Sequence, residues 1–455
     1  MSTSLIGIIV LVLLLIMLFA GIKIGITLAV VGIVGVTLTS NFGIAVSLLG
    51  TTAFNAIKDY VFAVVPLFVL MGLFSSIAGA GEDLYNAANM LLKKVKGGMA
   101  MATVIANAIF AALTGASIAS AAVFTKISLP EMTRLGYDKK FASGTIASSS
   151  VLGMLIPPSA LMIIYGTITG ESIGKLFIAG ILPGILLSIL YIISITVVVR
   201  LRPQYIGQSS DPGATASTGE VSGSGDTDTS WKMILKPWPV ALLIILVLGG
   251  IWGGFFTPTE AGGIGAFGAM LLSILKGRFT WKKLWRALGD AGKTTGSILF
   301  LFIAAQVFSR MLAITGVISN VTSWIVSLGF APLSIVAVFC ILQIFMGCVL
   351  DSSSIVLLTT PIMVPVIRQL GFDVIWYGIV AIVAAEIGLI SPPFGISVFT
   401  VKSSLSETKI GSLIAVEDIF KGSYSYLIMM VLCLALIVIF PIIVTYLPSL
   451  MLEAR

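Results

Sequence analysis

Long apolar stretches, broken by short polar or glycine-containing turns, run the length of this 455-residue chain. Many reach about 18 residues or more, the length at which a helix can cross a bilayer. They predict spans near residues 4–20, 23–40, 62–80, 141–165 and 175–200, and again near 234–256, 259–276, 294–316, 375–400 and 423–447. Two pairs of shorter runs stand apart. Residues 98–113 and 118–133 meet at TGAS (Thr114 to Ser117), and residues 332–349 and 354–368 meet at GCVLDSSS (Gly347 to Ser354). Each run is short for a full crossing, which predicts one re-entrant helical hairpin in each half of the chain. LIGIIVLVLLLIMLFAG (Leu5 to Gly21) lacks the alternation of a membrane β-strand, so a barrel is excluded. Met1 to Ser4 carry no Lys or Arg, so the stretch lacks a signal-peptide start and counts as the first span. The expected fold class is an all-α polytopic membrane protein.

One polar stretch interrupts the pattern. GQSSDPGATASTGEVSGSGDTDTS (Gly207 to Ser230) is rich in Gly, Ser, Thr and Asp, the composition of a flexible, water-exposed linker. The expected organisation is a first repeat over 1–202 with its hairpin at about 98–134, a linker over 203–231, and a second repeat over 232–455 with its hairpin at about 332–368. A single shift of 235 aligns the halves: Pro130 with Pro365, LGYD (Leu135 to Asp138) with LGFD (Leu370 to Asp373), Gly153 with Gly388, and Pro157-Pro158 with Pro392-Pro393. Lys93, Lys94, Lys96, Lys139 and Lys140 flank the first hairpin, whereas only Arg368 lies near the base of the second. By the positive-inside rule the first hairpin enters from the cytoplasm and the second from outside. Five full spans per half, an odd number, independently require inverted halves. The same map puts the linker, Arg200, Arg202, Lys232, Lys236 and the basic cluster at 276–286 in the cytoplasm, and both chain ends on the periplasmic side.

Composition narrows the chemistry. Hydrophobic residues make up 58% of the chain and charged ones 10%, more apolar surface than a soluble domain can hide. The net charge of +7 is assigned to orienting loops in contact with lipid rather than to nucleic-acid binding. Cys340, Cys348 and Cys433 form no disulfide or metal spacing, and the absence of histidine excludes His-based metal sites, triads and proton relays. No Walker motif or nucleophile motif is present, which argues against an ATPase and against an intramembrane enzyme.

GMLIPPS (Gly153 to Ser159) and GLISPPF (Gly388 to Phe394) each place two prolines after a glycine inside an apolar run. Paired prolines stop a helix and leave carbonyls unpaired. Inside a bilayer that is tolerated where the oxygens line a cavity or hold a cation, and matched interruptions in two halves point to a transporter's binding site. The hairpin tips are expected to meet these breaks. Thr114, Gly115 and Ser117 offer hydroxyls and open backbone; Asp351, Ser352, Ser353 and Ser354 offer a carboxylate and three hydroxyls. Oxygen-only ligands suit Na⁺, and helix N-termini at the tips suit a carboxylate substrate. Two cation sites, one per half, are expected, with an anionic substrate between them against Gly115 and Ser352 to Ser354. Ser148 to Ser150 are expected to bond back to their own helix. Glu386 reads equally as a coupling acid or as a structural partner. Arg310 reads as a partner of the substrate carboxylate, as a snorkelling cation or as one half of an ion pair. FNAIKDYVF (Phe54 to Phe62) and WKKLWRALGDAGK (Trp281 to Lys293) look amphipathic and predict interfacial helices ahead of the third span of each half.

Several of these stretches together resemble the large membrane subunit of TRAP transporters, the DctM family. They are FFTPTEAGGIGAFGAMLL (Phe255 to Leu272), ISLPEMTRLGYDKKFASGTIASSS (Ile127 to Ser150), GMLIPPSALMIIYG (Gly153 to Gly166) and GLISPPFG (Gly388 to Gly395). PLFVLMGLF (Pro66 to Phe74) and LTTPIMVP (Leu358 to Pro365) fit its patterns too, so the likeness covers nearly the whole chain outside the linker. The resemblance implies a sodium-driven importer of organic acids, with no cofactor beyond the coupling ion. It also implies a separate small membrane subunit, a periplasmic substrate-binding protein and a place in the bacterial inner membrane. It implies an elevator of the ion-transporter superfamily, with a scaffold and a mobile domain that carries both hairpins. Carried over, one Na⁺ site uses Thr114, Ser117, Gly153, Ile156 and Pro158, largely through backbone oxygen; the other uses Asp351, Gly388, Ser391 and Pro393. Ala116 stands where the family's first tip often has serine, which removes a hydroxyl. The rival expectation is a permease subunit of an ATP-driven transporter or of one that needs no binding protein.

Overall fold

A computed structural model describes residues 3–207, 233–406 and 413–451; the expected linker lies outside the described residues from position 208 onward. Among the described residues the regular elements are all helical. The first half contains α1 (Thr3–Phe19), α2 (Ile24–Thr39), α3 (Phe42–Lys58), α4 (Val64–Ile77), α5 (Ala80–Leu92), α6 (Gly98–Thr114), α7 (Ser117–Arg134), α8 (Lys139–Ser150), the single turn α9 (Leu152–Leu155), α10 (Ala160–Thr169) and α11 (Ile173–Leu201). The second contains α12 (Trp238–Trp252), α13 (Pro258–Leu275), α14 (Trp281–Ile314), α15 (Val317–Ser327), α16 (Pro332–Gly347), α17 (Ser352–Gln369), α18 (Val374–Ile390), α19 (Ile396–Ser406), α20 (Val416–Ile439) and α21 (Ile442–Ser449).

Seven stretches among these are long and apolar enough to cross a membrane. Three of the expected spans are shorter. Helices α1 and α2 have 17 and 16 residues, a rise of about 25 Å against a hydrocarbon core of about 30 Å. The third, expected over 375–400, is divided into α18 and α19 by the segment from Ser391 to Gly395. The hairpin helices α6 and α16 are equally short, at 17 and 16 residues.

Matching residues build matching boundaries. Helices α7 and α17 begin, and end, 235 positions apart. Each closes on a left-handed glycine, Gly136 or Gly371, with Tyr137 N–H returning to Met132 O and Phe372 N–H to Ile367 O. An aspartate then caps the next helix: Asp138 Oδ1 accepts from the amides of Lys140 and Phe141, and Asp373 Oδ1 from that of Trp376. The repeated LG-aromatic-D sequence is thus a stop followed by a start.

Some elements depart from expectation. The segment 54–62 is not a separate interfacial helix: it is the end of α3 followed by a 3-10 turn, Tyr60–Ala63. Residues 281–293 run without interruption into the 34-residue α14; no proline separates them from the apolar part, and Thr294 turns its hydroxyl back to Asp290 O at 2.9 Å instead of capping a new helix. The last span starts earlier, at Val416, and stops at Phe440, ahead of Pro441. Helices α3, α5 and α15 are additional. Helix α5 buries Leu84, Tyr85, Ala87 and Ala88 along one face; at 13 and 11 residues, α5 and α15 are too short to register as spans.

Packing sorts the helices into two groups. Helices α1 to α4 pack with α12 to α14, chiefly α4 on α13 and α2 on α14. Helices α6 to α11 pack with α16 to α20. Within this second group the halves exchange partners: α10 lies against α17 and α18, and α19 against α7 and α8. Helix α8 also runs along α20, where Thr145 Oγ1 and Tyr426 Oη share a 2.7 Å hydrogen bond. In sequence, α5 and α15 are the helical links from one group to the other, and the chain also passes between them from α11 to α12. Asp83 at the start of α5 pairs with Lys276, and with Lys236 at 2.8 Å, fastening the link to the ends of α12 and α13.

Candidate functional site

At the first hairpin tip, α6 stops at Gly115, whose φ of +57° is left-handed. Ala116 is extended, and Ser117 opens α7. Facing this tip is the first break. Ile156 is extended after α9, the Pro157-Pro158 bond is cis, and Ser159 returns its hydroxyl to Met154 O at 2.6 Å. Among the described residues no backbone amide bonds to the carbonyls of 156, 157 or 158. Tip and break touch. Ala160 N–H reaches Gly115 O at 3.4 Å. A Cβ on Gly115 would lie 2.4 Å from Pro158 O, and one on Gly153 would lie 2.9 Å from Ala116 C. Only glycine allows this approach, which explains the residue type at both positions.

The second tip and break repeat the plan with different side chains. Helix α16 ends at Gly347, and Gly347 and Gly388 face each other so closely that a Cβ on Gly388 would lie 2.4 Å from Gly347 Cα. Ser391 is extended, donates its hydroxyl to Ile387 O at 2.7 Å, and precedes the cis Pro392-Pro393 bond. The carbonyls of 391 to 394 receive no backbone hydrogen bond among the described residues. Asp351 caps its own helix: Oδ2 accepts from Ser354 N–H at 3.1 Å and Oδ1 from the Ser354 hydroxyl at 2.5 Å. Ser352 donates to Glu386 Oε1 at 2.6 Å, and Glu386 is fully buried.

The residues expected to bind cations thus fall into two clusters. Thr114, Ser117, Gly153, Ile156 and Pro158 sit together at one tip–break contact; Asp351, Gly388, Ser391 and Pro393 lie at or beside the other. Gly115 and Ser352 are at the tips, with Ser353 and Ser354 in the first turn of α17. Arg310 is half-buried on α14, whose main partner is α2. Ser150 bonds back to Ala147 O at 2.8 Å as expected, but Ser149 also accepts from Asn107 Nδ2 at 2.7 Å. Asn107 was missed by sequence reasoning; an amide inside the apolar run of α6 was the available signal. Among the described residues its Oδ1 and the Ser148 hydroxyl are both buried without a partner.

A cleft of about 740 Å³ opens between the two tips. Ile118 from the first tip, Val349 from the second and Phe394 from the second break supply apolar wall, and Thr400, Ser403 and Ser404 supply hydroxyls. Among the described residues no lysine or arginine lines it. The three hydroxyl residues were not anticipated. Their signal is a spacing of three and four that puts them on one face of the helix after the Pro-Pro break. Arg310 is not part of the lining. The cleft is wide and open, and its three hydroxyls all come from one helix, α19.

Comparison with known proteins agrees with this architecture. A family model described as "Tripartite ATP-independent periplasmic transporter, DctM component" matches residues 11–443. The C4-dicarboxylate TRAP transporter large permease protein DctM of Pseudomonas aeruginosa is 32% identical over 397 residues, covering 87% of this chain and 86% of that protein. The sialic acid TRAP transporter permease protein SiaT of Haemophilus influenzae is 30% identical over 392 residues; the match covers 85% of this chain and 59% of SiaT. Among solved structures, the YdaH transporter of Alcanivorax borkumensis superposes with a TM-score of 0.58 at 14% identity, covering 87% of this chain and 88% of that one, a likeness of fold.

Proposed function

This chain belongs to the DctM family of tripartite ATP-independent periplasmic transporters as a large permease subunit, and from that premise we propose that it imports small organic acids by sodium-coupled elevator motion. Its work is transport across a membrane, not catalysis. The observation that carries the coupling is the pair of tip–break contacts, where carbonyls without backbone donors lie beside a hairpin tip in each half. Such oxygens are costly in hydrocarbon unless a cation or a lined cavity receives them. One Na⁺ is held by Thr114, Ser117, Gly153, Ile156 and Pro158, chiefly through backbone oxygen. A second is held around Gly388, Ser391 and Pro393, with Asp351 ordering the tip from its capping position.

The substrate occupies the cleft between the tips. Hydroxyls of Thr400, Ser403 and Ser404 and the N-termini of α7 and α17 receive its carboxylate, and bound Na⁺ supplies the positive charge that the walls lack. Cation binding first orders the tips and lowers the cost of taking in the anion. The relatives' names include a C4-dicarboxylate and sialic acid, both carboxylates, which supports the substrate class.

The division of packing supports the motion. The group of α6 to α11 and α16 to α20 forms the mobile body, α1 to α4 with α12 to α14 the scaffold, and α5 and α15 the arms between them. The two halves are inverted repeats, with the segment from 203 to 231 in the cytoplasm and both termini in the periplasm of an inner-membrane protein. A small membrane subunit extends the scaffold, and a periplasmic binding protein delivers substrate. Reconstitution with both partners tests this. Uptake of a bound organic acid should follow a Na⁺ gradient and stop when an ionophore collapses it. Uptake that persists without Na⁺ but requires ATP would sink the proposal.

A further inference from the structure

Three helix ends meet on one side of the bundle. Helices α8 and α20 run parallel, since Lys140 pairs with Asp418 at 3.0 Å and Thr145 with Tyr426 at 2.7 Å. Helix α11 runs against them: Tyr191 meets Tyr426 edge-on with ring centroids 5.2 Å apart, and Cys433 Sγ lies 4.0 Å from Pro183 O. The starts of α8 and α20 therefore share one end with the finish of α11, and a pocket of about 690 Å³ lies there. Its aromatic wall is fixed in place. Phe141 stacks with both Tyr137 and Tyr205, at 6.5 Å and 5.8 Å, and Asp138 N–H reaches Tyr205 O at 2.8 Å, which anchors the 3-10 turn Pro203–Ile206.

The pocket is basic and half apolar. Lys140, Arg202 and Lys421 line it, and no acid does among the described residues. Asp418 answers Lys140, whereas neither Arg202 nor Lys421 forms an ion pair among the described residues. Arg202 donates one N–H to Tyr205 Oη at 2.8 Å, with its guanidinium 5.7 Å from that ring's centroid, and its other donors are available. Val198, Leu201 and Phe420 supply apolar wall. From this end, exposed apolar side chains continue at helical spacing: Leu201, Val197 and Ile193 along α11, and Tyr424 and Ile428 along α20. Charged residues cluster where the apolar rows begin, as they do where a membrane helix enters the headgroup layer.

A ligand matching both parts is an anion with a hydrocarbon tail. Phosphate oxygens suit an arginine with free donors beside a lysine, and basic pockets between membrane helices take acidic lipid headgroups. We propose that this pocket holds the headgroup of an acidic phospholipid, its phosphate on Arg202 and Lys421 and its acyl chains along the exposed rows of α11 and α20. Pro392 of the second break is also part of the wall, so the bound headgroup braces that segment. The site needs a bilayer but not the sodium coupling proposed above, and either can fail alone.

The test is thermal unfolding of the full chain in nanodiscs of phosphatidylcholine with a rising fraction of phosphatidylglycerol. The melting temperature should climb by about 2 °C or more, the scale of two cations gaining an anionic headgroup. R202Q/K421Q should lose at least half of that rise, while a Na⁺ titration of its thermal stability, with choline holding ionic strength constant, matches wild type. K421Q alone decides the matter if the double variant does not fold. K93Q/K94Q, an equal loss of exposed charge outside the pocket, should keep the full rise; an equal loss there would overturn the site in favour of general surface attraction. The same rise from inorganic phosphate in pure phosphatidylcholine would overturn the lipid and leave a soluble anion. The linker sequence carries Asp211, Glu220, Asp226 and Asp228. A wild-type chain indifferent to phosphatidylglycerol that responds once these four are changed to Asn or Gln would overturn the proposal in favour of the linker as occupant.

Discussion

Gly115 meets two demands that no other residue satisfies together. Its φ of +57° is left-handed, and the space its Cβ would fill is taken by Pro158 O. A left-handed conformation alone costs an L-residue about 1–2 kcal/mol. G115A should therefore lower the melting temperature and abolish uptake, measured by differential scanning fluorimetry and proteoliposome transport. Asp351 separates charge from capping. D351A removes the cap and should cost about 1 kcal/mol, whereas D351N keeps an acceptor and should retain both stability and the Na⁺ titration within about threefold. A tenfold loss of Na⁺ affinity in D351N would make Asp351 a direct ligand instead. At Thr400 the exchange to Val keeps shape and removes a hydroxyl. Substrate affinity should fall about fivefold, the equivalent of one hydrogen bond of about 1 kcal/mol, with the Na⁺ titration unchanged in the same assay.

Among elements, the contact of α8 with α20 depends on bare backbone. A Cβ on Gly144 would lie 2.1 Å from Gly422 C, and one on Gly422 would lie 1.8 Å from Lys140 O. G422L should destabilise the chain by about 1–3 kcal/mol, the usual cost of overpacking, read as a fall in melting temperature that Na⁺ does not restore. Elements with a strong local signature were legible in the sequence. The apolar length of α11 (Ile173–Leu201), the stop–start at Gly136 and Asp138, and both Pro-Pro breaks appear where their residues predict them. Helices α5 and α15 were not, because a short half-polar helix matches neither a span nor a loop by composition. The continuity of α14 was missed for the opposite reason: charge and the glycines along Trp281 to Gly296 suggest a boundary, but the helix continues through them and ends only before the left-handed Gly316. At the site, the glycines and prolines were readable since they dictate backbone shape. The hydrogen bond from Ser352 to the buried Glu386 was not, since it depends on how the tip of α17 packs on α18.

For the molecule as a whole, Asp83 marks a junction between the halves. It is 1% exposed and answers two lysines of the second half, Lys236 and Lys276. D83A should cost about 1–3 kcal/mol, since two partly solvated cations lose a buried counter-charge. Limited proteolysis should then cut earlier near α5; an unchanged digestion rate would argue that the junction is not a brace. The exchanged packing of α10 with α17 and of α19 with α7 has a consequence in time. The first hairpin, complete once α7 has been made, rests on a helix that begins only at Ile396. At a synthesis rate of about 5–20 residues per second, the ribosome needs roughly 13–50 s to make that partner. Through that interval the face of the first hairpin that α19 will cover stays open, although α5, α8 and α11 are already made, and it is a client for whatever insertion machinery attends the nascent chain.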